Sequence, residues 1–123
     1  ELLEGGTGSC RILGILGILP GGEMAMCGIG TAIPELVYGR LPGDSLAEVW
    51  AGSPGLRELR RVIPDSITGV CADCIHRNAC MGVCPAGNYH RTGRLDVSYS
   101  FCEEAAASGL FPDARLVGPP TGG

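Results

Sequence analysis

Cys71–Cys84 reads CADCIHRNACMGVC: four thiols in fourteen residues, with two, five and three residues between successive cysteines. Three further cysteines, Cys10, Cys27 and Cys102, lie at a distance. Three chemistries use thiols at such density. A disulfide framework belongs to secreted chains and favours an even count; here the count is seven and no secretion signal is visible. A structural zinc takes four Cys or His ligands. Cys71 and Cys74 would make half of such a site, with His76 and His90 as candidate additions. The spacing is not the usual two-plus-two arrangement. A cubane iron–sulfur cluster takes one thiolate at each iron corner. A loop such as Cys71-Ala72-Asp73-Cys74 can wrap two adjacent corners, and Cys80 follows as a third ligand. Cys80 and Cys84 could sit one helical turn apart or on opposite sides of a turn, and they need not serve the same cluster.

The rest of the composition sets the scale of what those thiols must stabilise. With 123 residues the chain is expected to form one small domain, residues 1–123, in which added crosslinks or metals weigh heavily. The 21 Gly and 9 Pro favour loops over long regular elements. Formal charge is −4, and all nine basic residues are Arg. They form no stripe suited to nucleic acid and no polybasic run suited to anionic lipid. The most apolar run, Ile12–Leu19, is far too short for a bilayer span of about 20 residues, and it lacks the flanks of a signal peptide. It is expected to be a buried strand. The chain begins at Glu1 rather than Met, which suggests a piece of something longer.

An α+β architecture is expected, small and loop-rich, with an N-terminal β-hairpin followed by short helices. Cys10–Cys27 reads as the hairpin: apolar residues lead to a Pro20-Gly21-Gly22 turn, and Glu23–Met26 alternates back to Cys27. Residues 31–42, broken by Pro34 and Pro42, read as irregular. Asp44 or Ser45 should cap a helix through Trp50, with Leu46, Val49 and Trp50 on its buried face. Ser53 should cap a second helix with Pro54 at its first position, lined by Leu56, Leu59 and Val62. Arg57, Arg60 and Arg61 fall on its solvated side. A helix is expected from Met81–Cys84 through His90, stopped by Gly93, and a last one over Glu103–Ser108. His76 and His90 read as surface or supporting residues, Tyr89 and Tyr99 as packing, and Asp73 as a turn residue.

With all seven cysteines in view, the pattern resembles the SPASM domain, the auxiliary-cluster extension of many radical S-adenosylmethionine enzymes. Cys10, eleven intervening residues, then Gly22-Glu-Met-Ala-Met-Cys27 match the first half of that family's motif. Cys71, Cys74, Cys80 and Cys84 match its C-x2-C-x5-C-x3-C centre, and Cys102 closes it. The stretch GDSLAEVWAGSPGLRELR, Gly43–Arg60, is similar to the family's linker. The resemblance covers roughly residues 8 to 112. It implies organisation around two [4Fe-4S] clusters with interleaved ligands: cluster I on Cys10, Cys27 and Cys84, cluster II on Cys71, Cys74, Cys80 and Cys102.

Two positions depart from the family. An eighth cysteine of fully ligated relatives would fall at Glu4, so the fourth iron of cluster I is open, held by Glu4, or held by a substrate thiol or a residue outside the sequence. The Asp that follows the second cysteine in sulfatase-maturing relatives is here Gly28, which disfavours that activity. The C-x3-C-x2-C loop that holds the catalytic cluster is absent from this sequence. S-adenosylmethionine and a third [4Fe-4S] cluster are therefore expected only on a radical S-adenosylmethionine catalytic domain, on the same or a separate chain. The implied partners are that domain, a peptide or protein substrate and an external electron carrier, with no nucleic acid and no membrane, in the cytoplasm. The rival expectation is a stand-alone iron–sulfur electron carrier or a peptide-binding module without catalysis.

Overall fold

The Pro20-Gly21-Gly22 interruption turns the chain, and the residues on either side pair. In the computed structural model, which describes residues 10–117, β1 (Gly17–Ile18) runs antiparallel to β2 (Glu23–Ala25) with Gly17 opposite Ala25 and Ile18 opposite Met24. The turn is closed by Leu19 N–H donating to Glu23 O at 2.8 Å and Gly22 N–H donating to Leu19 O at 2.9 Å. The expected hairpin is therefore present, but the expected buried strand over Ile12–Leu19 is not. Ile12–Gly14 forms a 3-10 turn, and only Gly17–Ile18 pairs. Ile12 and Leu19 are buried while Ile15 and Ile18 are exposed, because the glycines at 14 and 17 break the run into short pieces.

A third strand, β3 (Val37–Arg40), pairs antiparallel with β2 and makes it the centre of the sheet, order β1-β2-β3. This corrects the irregular reading of residues 31–42 at positions 37–40; the turns and 3-10 pieces on either side bear it out. The pairing shifts register between Met24 and Ala25. Met24, Ala25 and Met26 are all fully buried, so the central strand is covered on both faces and the alternation expected there does not apply.

Two helices complete this half. Ser45 caps α1 (Leu46–Gly52), its Oγ accepting from Glu48 N–H at 3.3 Å. Val49 faces inward, and Gly39 is what lets it: a Cβ there would lie 2.7 Å from Val49 Cγ2. Leu46 and Trp50 are exposed, against expectation. Arg60 lies over the Trp50 ring, 4.7 Å from its centroid, and this cation–π contact replaces burial. In α2 (Pro54–Val62), Leu56, Leu59 and Val62 are buried and the three arginines are exposed, as the spacing predicts. Fully burying a side chain such as Leu59 contributes about 1.5–3 kcal/mol.

Among the described residues the contacts fall into two compact units, Arg11–Val62 and a second holding Cys10 and residues 63–117. The second is helical: a 3-10 turn over Gly69–Asp73, α3 (Arg77–Cys80), α4 (Pro85–Thr92) and α5 (Ser100–Ala107). Its buried residues include Ile63, Ile67, Met81, Pro85 and Ala86. The expected helix from Met81 is corrected: Met81, Gly82 and Val83 have φ of 52°, 77° and 69°, so three successive residues are left-handed. α4 starts only at Pro85, a residue suited to a first helical position. Gly93 stops α4 in the left-handed conformation, as predicted. With a three-stranded antiparallel sheet and five α-helices among the described residues, the fold is α+β. No described helix is long and apolar enough to cross a membrane.

Candidate metal centre

Four of the seven cysteines line one cavity. Cys71, Cys74, Cys80 and Cys102 surround a space of about 60 Å³. A single water needs about 10–15 Å³, so the space exceeds one small ligand several-fold. The four arrive from three places in the sequence. Cys71 sits within the 3-10 turn Gly69–Asp73 and Cys74 caps its end. Cys80 is the last residue of α3, and Cys102 stands in the first turn of α5.

The loop carrying Cys71 is held from behind. Cys71 N–H donates to the buried Ser98 Oγ at 3.0 Å, and Ser98 Oγ donates to Thr68 O. Val70 N–H donates to Glu103 Oε1 at 2.8 Å. Glu103 follows Cys102 on α5, so one helix supplies both a thiol and an anchor for the turn bearing two others. On the opposite side, the C-terminal segment pairs with the loop. Ile75 N–H donates to Arg115 O and Val117 N–H to Asp73 O, each at 2.7 Å, around a Cys74–Leu116 bridge. Asp73 is exposed and serves that turn, as read from the sequence. Cys74 Sγ accepts from His76 N–H at 3.4 Å, and Arg77 Nη1 donates to Ala72 O at 3.2 Å.

The cavity wall is cationic and aromatic. Arg77, Arg115 and His76 line it, with Tyr99 and Phe111, and no carboxylate does. Burial pushes the Cys102 thiol pKa up, and repulsion from Cys71, Cys80 and Cys74 pushes it further; Arg115 opposes the shift. Four thiols around one space suit a cationic centre, since a metal deprotonates a coordinating thiol outright. Among the described residues, no three His, Cys, Asp or Glu side chains are arranged to hold a metal ion. A tetrahedral ion with bonds near 2.3 Å draws its sulfurs to within about 3.8 Å of one another. A cubane carries one thiolate on each of four irons and spreads them wider.

Cys84 is not part of this cavity. It is exposed and caps α4, its Sγ accepting from Gly87 N–H at 3.3 Å. The left-handed residues 81–83 separate it from Cys80, and Asn88 Nδ2 pins that turn by donating to Gly82 O at 2.9 Å. Gly82 has the positive φ, and a Cβ there would come 3.0 Å from Asn88 Nδ2. Cys27, half-buried, follows β2 and leads into the 3-10 turn Gly28–Thr31. The backbone of β1 passes close to it: a Cβ on Gly17 would lie 2.9 Å from the Cys27 carbonyl carbon. Cys10 is half-buried and belongs with Cys84 to the second unit, whereas Cys27 belongs to the first. Glu4 lies outside the described residues. His90 is exposed; Tyr99 meets Phe101 with ring centroids 5.5 Å apart.

Ser98, Glu103, Arg115 and Phe111 were not singled out by the sequence. Ser98 and Glu103 act across 27 and 33 residues, and no local pattern announces such pairs. No family model matches the chain, and neither does any curated protein or solved structure.

Proposed function

We infer that this chain is a SPASM-type auxiliary iron–sulfur domain that serves a radical S-adenosylmethionine enzyme acting on a peptide or protein. One observation carries the reading: Cys102 joins Cys71, Cys74 and Cys80 around a common cavity, while Cys84 caps α4 outside it. Sequence proximity alone would have grouped Cys84 with its three neighbours. The partition seen is the one the family resemblance implies for cluster II, and it supports four protein thiolates on that cluster. Cys10, Cys27 and Cys84 are assigned to cluster I by the resemblance alone.

A bound [4Fe-4S] cluster supplies one-electron exchange. The chain's own part is to hold the thiols, to limit water with Tyr99 and Phe111, and to set the local charge. S-adenosylmethionine and the third cluster would belong to the catalytic domain, and the thiols would be kept reduced in the cytoplasm. Anaerobic reconstitution tests the reading. Brown protein with iron and sulfide for two cubanes per chain is expected, with the broad visible absorption of thiolate-ligated iron. Colourless protein holding stoichiometric zinc, prepared without oxygen, would refute it.

A further inference from the structure

We propose that Arg115 and Arg77 bias the cluster held by Cys71, Cys74, Cys80 and Cys102 toward its reduced form, making it the electron-accepting centre of the domain. The inference rests on the auxiliary-cluster reading and adds to it a direction for the electron.

The chain is acidic, with 13 Asp and Glu against nine Arg. Yet the cavity wall carries two arginines and no carboxylate. Glu103, next to Cys102, is engaged by Val70 N–H at 2.8 Å and, like Asp73, does not line the cavity. The loop that bears the thiols engages both residues, Arg77 by its side chain and Arg115 by its backbone. Arg77 is tied to the Ala72 carbonyl between Cys71 and Cys74, at 3.2 Å. Arg115 is held through its own backbone carbonyl, which accepts from Ile75 N–H at 2.7 Å. His76 N–H donates to Cys74 Sγ at 3.4 Å and acts in the same sense. An all-thiolate cluster gains one electron and no proton on reduction, so it becomes one unit more negative. Fixed positive charge and N–H donors to sulfur favour that form, and charge and hydrogen bonding are the protein's levers on cluster potential.

The test is a dithionite titration of the full chain, reconstituted anaerobically and followed by electron paramagnetic resonance, with iron per chain measured on every sample. At an ambient potential that half-reduces this cluster in the parent, Arg115→Gln should show a reduced-to-oxidised ratio about tenfold lower. That ratio corresponds to about 59 mV for one electron. Arg77→Gln should shift in the same direction, Arg115→Lys should stay within threefold of the parent, and Arg57→Gln, exposed on α2, should not shift. Arg115 is exposed on a short 3-10 turn, so its variants are the ones expected to load fully. Loaded Arg115→Gln that titrates with the parent overturns the inference and leaves the cluster reading standing. A parent that takes up no iron overturns that reading, and the inference falls with it.

Discussion

Removing one buried hydroxyl should loosen the grip on the proposed cluster. Ser98 is 4% exposed, and its Oγ accepts from Cys71 N–H at 3.0 Å while donating to Thr68 O. Ser98→Ala leaves the Cys71 amide buried without an acceptor, at a cost of about 1–3 kcal/mol. The bond to the Thr68 carbonyl is lost as well. Together the loss is about 2 kcal/mol, roughly a thirtyfold change in a local opening equilibrium at about 1.4 kcal/mol per tenfold. Chelator attack on the cluster requires that opening. Iron release from loaded Ser98→Ala, followed by loss of visible absorption under argon, should therefore run about thirtyfold faster than from the parent. Amide exchange at Cys71 reads the same opening without any metal. Ser108→Ala, exposed at the end of α5, serves as the control. A Ser98→Ala rate within threefold of the parent, from equal starting iron and with unchanged Cys71 exchange, would refute the reasoning.

Cys102→Ala and Cys80→Ala, which leave three thiolates, should alter one paramagnetic signal and lower its iron, whereas Cys84→Ala and Cys27→Ala, which leave two, should lose the other. If Cys84→Ala and Cys80→Ala lose the same signal while Cys27→Ala loses the other, the interleaved assignment is wrong. Stripping the metal should remove much of the far-ultraviolet circular dichroism and the cooperative melt, as in small domains whose folding is coupled to metal; an unchanged melt of the stripped, reduced protein counts against it. Gly82→Ala should lower thermal stability by about 1–2 kcal/mol, the cost of a Cβ at positive φ, with more added by crowding Asn88. A melt matching the parent would show that the turn tolerates a side chain.

The features legible in the sequence were those governed by local rules. The Pro-Gly-Gly turn, the Ser45 cap, Pro54 opening α2 and the Leu56/Leu59/Val62 face depend on residues within one turn of each other, and each is present. What local rules do not govern was missed. β3 exists because β2 offers an edge, and residues 37–40 carry too short an apolar pattern to declare a strand alone. Trp50 looked like core by residue type, but Arg60, ten positions on, supplies a cation for its face. In the candidate site, Cys71, Cys74, Cys80 and Cys102 could be named from motif spacing, whereas their supports could not. Ser98 and Glu103 matter only because α5 packs against the turn at Gly69–Asp73.

The turn that delays the start of α4 bears on the proposed metal site. Had a helix run straight through Cys80 and Cys84, their four-residue separation would have stacked both thiols on one face. Four cysteines of one run could then have closed a single site. Three successive positive φ angles, at Met81, Gly82 and Val83, prevent this. Non-glycine residues rarely adopt that conformation, and a β-branched one such as Val83 least of all. Such geometry persists only where its surroundings enforce it; here Asn88, 4% exposed, donates to Gly82 O and holds the turn. On the proposed cluster reading, the consequence is a vacancy in the ligand count. Once Cys84 caps α4, the cavity of Cys71, Cys74 and Cys80 needs a thiol from elsewhere, and α5 delivers Cys102. On that reading the uneven spacing of the run is the trace of a chain turning away from one site in the middle of its own motif.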